Sequence, residues 1–116
     1  MAEPVYKVLS AAAFAEAARA GYFTGSPDDT RDGFIHLSAA QQLEGTLAKH
    51  FAGQDGLVLL ALDPDRLGSA LKWEVSRGGE LFPHLYARLD LGALLWAEAL
   101  PLDANGKHVL PEGAFA

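Results

Sequence analysis

The sequence predicts a single domain of the α+β class, and three observations lead to this prediction. The 116 residues match the size of one domain and suffice for a hydrophobic core. Two segments of helix-forming composition lie in the first half of the chain, and most strand-like segments follow them. This order is typical of α+β folds. No linker-like stretch interrupts residues 1–116, so we assign them to one domain, with a core over about 5–100 and a loosely packed tail over 101–116.

The first half of the chain predicts the order strand, helix, strand, helix. In chain order these elements are an apolar strand over 5–9, a helix over 11–20, a loop over 22–32, a strand over 33–38 and a helix from Ser38 or Ala39 to about Phe51. Ser10 has a side chain that caps helix N-termini, and Gly21 stands where helices commonly end in a left-handed glycine. Pro27, Gly25 and three Asp residues favour the loop.

The second half of the chain predicts a series of strands. They cover residues 57–63, 71–77, 85–89 and 94–100, with turns at 63–68 and 90–93. The first is a continuous apolar run between Gly56 and Pro64, a pattern typical of a buried central strand. Gly78 and Gly79 end the second strand.

Charge and composition exclude several classes of function. The net charge is −6 and the nine basic residues are scattered, so we expect neither sequence-independent nucleic-acid binding nor binding to anionic membranes. A small basic pocket for one nucleotide or phosphate remains compatible with this charge. The absence of cysteine excludes disulfides, zinc–thiolate sites and cysteine nucleophiles. The sequence shows no signal-peptide pattern and no apolar run near the ~20 residues of a membrane span, so we expect a cytoplasmic protein.

Three predicted strands carry polar and aromatic side chains on one face. Alternation along each strand groups these side chains as Phe34 with His36 and Ser38, Lys72 with Glu74 and Ser76, and Phe82 with His84 and Tyr86. The opposite faces, which include Trp73 and Val75, are apolar and are predicted to face the core. If the strands are neighbours, their polar faces converge into one cleft. An antiparallel sheet with one solvated face produces the same alternation, and this is the structural alternative.

The residue types in this predicted cleft support proton transfer and ring stacking. Histidine side chains ordinarily titrate near neutrality, so His36 and His84 are candidate acids or bases, and Glu74 can orient an imidazole. His50, near a helix C-terminus, and His108, in the tail, receive structural interpretations. The two imidazoles and the carboxylate are suitable metal ligands. Their spacing lacks the i, i+4 pairs of helical zinc sites, so we expect no metal.

Four segments together resemble a small bacterial family called domain of unknown function 952. They are Asp32-Gly33-Phe34-Ile35-His36-Leu37-Ser38, Gln41-Gln42, Lys72-Trp73-Glu74 and Leu81-Phe82-Pro83-His84-Leu85-Tyr86. Their order and separation match the family, and the resemblance covers nearly the whole chain from about Val5. The chain departs from the family at Lys7, where members often carry His, and at Ala87-Arg88, where they tend to Gly-Pro.

The resemblance implies more about fold than about activity. It implies an ADP-ribosyltransferase-like fold, in which split and bent mixed or antiparallel sheets and two main helices surround a cleft for a nicotinamide dinucleotide. Glu74 would then be the carboxylate that binds a ribose hydroxyl and steadies an oxocarbenium-like centre. His36 and Ser38 would lie on the middle strand of the cleft, and Tyr6 or Lys7 on the first. NAD is the cofactor that this resemblance allows.

Three hypotheses for function follow. The first is a nucleotide cleft for NAD, ADP-ribose or a 2′-phosphonucleotide, with transferase activity and with His36, Glu74 and His84 as catalytic residues. Six residues would contact the small-molecule ligand: Lys7, Phe34, Ser38, Lys72, Phe82 and Tyr86. The second is a non-catalytic module that binds a small metabolite or a protein. The third is a two-histidine phosphoesterase. In it, His36-Leu37-Ser38 would supply one H-x-S element, although His84-Leu85-Tyr86 has Tyr in place of Ser or Thr.

Overall fold

Eight strands form three antiparallel sheets in the computed structural model, which describes residues 3–111. The strands are β1 Val5–Ser10, β2 Tyr22–Phe23, β3 Ile35–His36, β4 Leu57–Leu62, β5 Leu71–Val75, β6 Leu81–Leu85, β7 Leu89–Asp90 and β8 Leu94–Leu100. The helices are α1 Ala11–Ala20, α2 Pro27–Asp32, α3 Leu43–His50 and α4 Pro64–Leu67. The sheets have the strand orders β1-β4-β8, β2-β7 and β3-β6-β5. The predicted α+β class is therefore confirmed.

The strand β4 is the centre of the molecule, as its apolar sequence predicts. Its residues from Leu59 to Leu62 are fully buried, because apolar clusters cover both faces of the β1-β4-β8 sheet. One cluster joins Leu60 and Leu62 to α1 and to the β3-β6-β5 sheet. The other joins Leu59 and Ala61 to α3. A strand covered on both faces reads as a continuous apolar run rather than as an alternation.

A pair of backbone hydrogen bonds joins the central sheet to the β3-β6-β5 sheet. The Tyr6 amide donates to the Ser38 carbonyl at 2.8 Å, and the Ser38 amide donates back to the Tyr6 carbonyl at 2.9 Å. This contact brings β1 alongside the end of β3. It therefore places Lys7, on β1, close to His36, on β3.

The predicted loop over residues 22–32 is wrong, because the segment contains β2 and α2. Ser26 caps α2 by accepting from the Asp29 amide, and the Asp29 carboxylate accepts from the Ser26 amide in return. Pro27 occupies the first turn, and Gly33 ends the helix in the left-handed conformation with φ 84°. The helix has no apolar periodicity, so the alternation of hydrophobic residues could not reveal it.

Several further boundaries differ from the prediction, since the strands predicted over 33–38 and 71–77 cover only Ile35–His36 and Leu71–Val75. The second predicted helix begins with a 3-10 turn at Ala40–Gln42, and α3 ends at His50. The strand predicted over 85–89 is instead the end of β6, a turn and the short β7. In the tail, Leu102 pairs with His108, and the His108 ring bonds the Gln54 carbonyl at 2.7 Å. Residues 1–2 of the predicted domain and 112–116 of the predicted tail lie outside the described residues.

The prediction that Trp73 and Val75 of β5 face the core is also wrong. Trp73 is 48% exposed and Val75 is 69% exposed, and their neighbour Leu81 on β6 is 52% exposed. The strand lies at the edge of its sheet, so the face turned away from the polar residues remains open to solvent. No helix among residues 3–111 is long and apolar enough to span a bilayer.

A buried ion pair ties α2 to β1 and β3. The Lys7 ammonium lies 3.0 and 3.2 Å from the two carboxylate oxygens of Asp29 and donates to the His36 carbonyl at 3.0 Å. Asp29 also accepts from the His36 amide at 3.0 Å. Burial alone would raise the pKa of Asp29. The hydrogen bonds from His36 and the charge of Lys7 outweigh burial and hold that pKa well below its usual range.

Asp29→Asn is expected to lower the free energy of unfolding by about 3 kcal/mol or more, because it leaves the buried Lys7 ammonium without its counter-ion. Urea denaturation followed by circular dichroism measures the change. The control is Asp28→Asn on the same helix, where the carboxylate is exposed and a change within about 0.5 kcal/mol is expected. Equal losses in the two variants would contradict the structural role of Asp29.

The depressed pKa of Asp29 also predicts how stability depends on pH. Its contribution is complete above the ordinary carboxyl pKa of about 3.9 and is lost as pH falls toward the lower pKa of the folded state. The Asp29 carboxyl carbon, followed by NMR in the folded protein, should therefore show no titration between pH 6 and about 4. A normal titration midpoint would contradict this prediction.

Candidate functional site

A cleft of about 370 Å³ opens where the end of β1, α2, β3, α3 and the β5–β6 turn meet. Its walls combine imidazoles, hydroxyls, carboxylates and cations. The side chains that line it include Lys7, Asp29, Asp32, His36, Ser38, Thr46, Lys49, His50, Arg77, Phe82 and His84. The volume is within the range of small-molecule sites, which is about 300–1,000 Å³.

The antiparallel register of β3 and β6 sets His36 directly opposite His84. Their ring centroids are 5.8 Å apart in an edge-on arrangement. On β6, Phe82 and His84 alternate onto the same face, so their side chains are offset by about 7 Å along the strand. The fold therefore aligns two imidazoles and a phenyl ring along one wall of the cleft.

Two contacts hold the His84 ring, one at a nitrogen and one on its face. Its Nδ1 donates to Glu74 Oε1 at 2.8 Å, and the Tyr86 hydroxyl donates to the same oxygen at 2.7 Å. Its ring stacks on Phe34 with centroids 4.0 Å apart. The hydrogen bonds from Tyr86 and His84 lower the pKa of Glu74, and the bond to Glu74 raises the pKa of Tyr86. His84 Nε2 has no hydrogen-bond partner in the described part of the chain, although the residue is only 4% exposed.

His36 is held differently, because both of its ring nitrogens face carboxylates. Nδ1 lies 2.7 Å from Asp29 Oδ1, and Nε2 lies 3.0 Å from Asp32 Oδ2. Arg31 bonds Asp32 and lowers the pKa of that carboxyl. An imidazole donates to two carboxylates only when both nitrogens carry protons. A proton acceptor in the cleft is therefore better provided by His84 than by His36.

The remaining cleft side chains are cations and hydroxyls. Ser38 Oγ and Thr46 Oγ1 are 2.9 Å apart, and Arg77 Nη2 donates to Thr46 Oγ1 at 3.4 Å. The Arg77 guanidinium lies over the Phe82 ring at 4.8 Å. Lys49 comes from the last turn of α3 and also lines the cleft. This region combines positive charge with hydrogen-bond donors.

The structure brings most of the predicted site residues together. Lys7, His36, Ser38, Phe82 and His84 line the cleft. Glu74 and Phe34 are outside the lining and contact His84 directly, and Tyr86 bonds Glu74 and packs against Phe34. Lys72 lies opposite His84 in the strand register but is exposed and does not line the cleft.

Sequence reasoning missed Asp29, Asp32, Thr46, Lys49 and Arg77. A Ser26–Asp29 capping box was the available signal for α2, and Gly78-Gly79 was the signal for a tight turn beside Arg77. Within residues 3–111, no group of three or more His, Asp or Glu side chains has the arrangement to hold a metal ion.

Glu74→Ala is expected to change the tautomer of neutral His84, because the proton on Nδ1 is fixed by the Glu74 acceptor. Multiple-bond ¹H–¹⁵N NMR should show the proton on Nδ1 in the wild type and a shift toward Nε2 in the variant. Tyr86→Phe is the matched control, since it removes the other bond to Glu74 Oε1 and leaves the acceptor in place. The same tautomer in Glu74→Ala as in the wild type would contradict the assignment.

Comparison with known proteins gives both family and close structural neighbours. A crystal structure of protein CC0527 from Caulobacter crescentus is 47% identical, with a TM-score of 0.91, covering 97% of this chain and 99% of that one. Its solution NMR structure is 50% identical, with a TM-score of 0.81, covering 90% of each chain. No curated protein matches the chain. The family model described as Protein of unknown function (DUF952) matches residues 8–97, and the chain belongs to that family.

Proposed function

We propose that this protein is an enzyme that binds a nucleotide in the cleft and uses His84 to move a proton during group transfer. The observation that carries the proposal is the state of the His84 ring. Glu74 holds Nδ1 and Phe34 stacks on the ring, while Nε2 of this cleft-lining residue has no described partner. An imidazole fixed on one side and available on the other is the arrangement that general acid–base catalysis uses.

The ligand class follows from the lining of the cleft. The chain is acidic overall, with a net charge of −6, yet the cleft contains Arg77 and Lys49. The His36 imidazole, whose side chain is 36% exposed, adds a flat surface on which a base or ribose can pack. A phosphorylated nucleotide combines these properties, and NAD, ADP-ribose and 2′-phosphonucleotides are the ligands we propose.

Each residue around His84 has its own role in this proposal. His84 is the catalytic residue, and Glu74 is a positioning residue that acts through it. His36 donates to the ligand when the ligand displaces the half-exposed Asp32 carboxylate from Nε2. Lys7 is buried and forms an ion pair with Asp29. In this proposal it stabilises the position of α2 and does not contact the ligand. Ser38 provides a hydroxyl within the cleft.

We propose for Glu74 a different part from that of the ribose-binding carboxylate of ADP-ribosyltransferases. Glu74 Oε1 accepts from both His84 and Tyr86, and the residue does not line the cleft. A carboxylate behind an imidazole raises the basicity of that imidazole and fixes its orientation. We therefore favour proton transfer at His84 over direct stabilisation of an oxocarbenium ion by Glu74.

A two-histidine phosphoesterase is the second candidate, because His36 and His84 are paired in register and Ser38 lies beside them in the cleft. The second H-x-S/T element is incomplete. Tyr86 takes the place of Ser or Thr, and its hydroxyl donates to Glu74. This candidate requires equal contributions from the two imidazoles, whereas the first assigns the proton transfer to His84.

His84→Gln is expected to lower turnover by about 10²-fold or more and to leave ligand affinity nearly unchanged, because it removes a proton-transfer group. The assay incubates the protein with NAD, ADP-ribose, 2′-phosphonucleotides and 2′,3′-cyclic nucleotides and measures products by chromatography, with affinity from calorimetry. His108→Gln is the matched control, since its ring bonds the Gln54 carbonyl and neither residue lines the cleft.

The outcomes separate the candidates. Equal losses from His36→Ala and His84→Ala with cyclic nucleotides would favour the phosphoesterase. Binding without turnover of any of these ligands would establish a non-catalytic binding module and contradict the enzymatic proposal. The absence of heat with every ligand at millimolar concentration would contradict the nucleotide cleft itself.

A further inference from the structure

The turn between β5 and β6 fixes the Arg77 side chain against the cleft. The Ser76 amide donates to the Glu80 carbonyl at 2.8 Å, and the chain reverses through Gly78 and Gly79 at φ 68° and 78°. These φ values lie in the left-handed region, which glycine adopts without strain. The reversal places Arg77 beside α3.

Packing then holds the Arg77 guanidinium between two elements. One face lies over the Phe82 ring at 4.8 Å. On the side of α3, a Cβ at Gly45 would lie 3.1 Å from Arg77 Nη2, so the missing side chain of Gly45 makes room for the guanidinium. An arginine held by stacking has already lost much of its rotamer freedom and needs little further ordering to bind a ligand.

The positive charge of Arg77 is not balanced by an ion pair with any carboxylate among residues 3–111. Neither Arg77 nor Lys49 forms an ion pair with any residue of the described chain, although the full sequence has 15 acidic residues. The one hydrogen bond of the guanidinium to a described residue is the 3.4 Å contact with Thr46. Most of its five donors are therefore available to an anion.

His50 lies within this group of cations. The pKa of His50 is lowered, mainly because partial burial disfavours the charged ring and also because the positive charges of Arg77 and Lys49 repel a proton. Asp28 acts on His50 in the opposite direction, but it is paired with Arg31 at 3.3 Å. An anion bound between Arg77 and Lys49 would relieve this repulsion and favour a protonated His50.

We infer that Arg77, Lys49 and His50, together with the Thr46 hydroxyl, form a binding site for a phosphate monoester that is not the reacting group. The inference deepens the proposed function and rests on it for the role of His84. The stacked Phe82 and the catalytic His84 are offset by about 7 Å on the same face of β6. A phosphate held by Arg77 therefore lies roughly one sugar ring away from the atom that exchanges a proton with His84.

A phosphate monoester fits these groups better than a carboxylate does. The planar guanidinium offers two parallel donors to a pair of phosphate oxygens, and Lys49 adds a point charge. The monoester carries up to two negative charges and three terminal oxygens near neutrality, which matches several separate donors. The substrate class is thus a nucleotide with a terminal phosphate on its sugar.

Calorimetry with adenosine 2′-monophosphate, adenosine 5′-monophosphate, inorganic phosphate and adenosine tests the inference. The wild type is expected to bind at least one monophosphate about tenfold or more tightly than adenosine, and Arg77→Gln to abolish that preference. The matched control is Arg88→Gln, because Arg88 also stacks on an aromatic ring, Tyr22 at 4.2 Å, but does not line the cleft. Lys49→Gln, at an exposed lysine, gives a second variant if Arg77→Gln fails to fold.

The failure of this inference differs from the failure of the proposed function. Equal affinity for adenosine and both monophosphates, or an unchanged preference in the folded Arg77→Gln and Lys49→Gln proteins, would overturn the phosphate site. His84→Gln is expected to keep the full preference for a monophosphate over adenosine, because it removes the proton-transfer group and leaves the phosphate-binding groups in place. A monophosphate preference that depends on Arg77 would support the site even if no turnover is ever detected.

Discussion

The buried ion pair of Lys7 and Asp29 is the interaction on which the cleft depends. The pair joins three elements that are separate in the sequence. Lys7 lies on β1 and Asp29 on α2, and the Lys7 ammonium also donates to the carbonyl of His36 on β3. Removing one partner of such a pair leaves an uncompensated charge in the interior. Both charged groups of the pair have hydrogen-bond partners, and no side-chain nitrogen or oxygen that is itself fully enclosed within residues 3–111 lacks one.

The same strand register determines which side chains enter the core and which face the cleft. On β3, Ile35 enters the core while His36 faces the cleft, and on β6, Leu85 enters the core while His84 faces the cleft. A slip of one residue would exchange the two sets, because side chains alternate with a period of two. The apolar contacts that stabilise the fold therefore also fix where the imidazoles meet.

The sequence was sufficient for those parts of the site that depend on alternation. The polar faces of three strands predicted the meeting of His36 with His84 and the contact of Glu74 with His84. Alternation cannot say which side of an edge strand is covered, so Trp73 and Val75 were assigned to the core and are exposed.

The sequence was insufficient where a turn or a helix cap determines the local structure. The helix α2 depends on reciprocal hydrogen bonds of Ser26 and Asp29 and on the buried contact of Asp29 with Lys7. The place of Arg77 depends on the reversal at Gly78-Gly79 and on the space above Gly45. The contact of Asp29 with Lys7 and that of Arg77 with Gly45 join residues far apart in sequence, which no local pattern contains.

The β5–β6 hairpin has a consequence for the order in which the cleft assembles. Its Glu74–His84 bond closes a loop of only ten residues, whereas the Lys7–Asp29 pair closes 22 and the Arg77–Thr46 contact closes 31. The entropic cost of closing a loop rises with its length, so the hairpin contact is the least costly of the three. The imidazole–carboxylate pair is thus a product of local folding, while the cationic end exists only when the tertiary structure is complete. Partial opening of α3 would release an anion from the cleft while leaving His84 still bonded to Glu74.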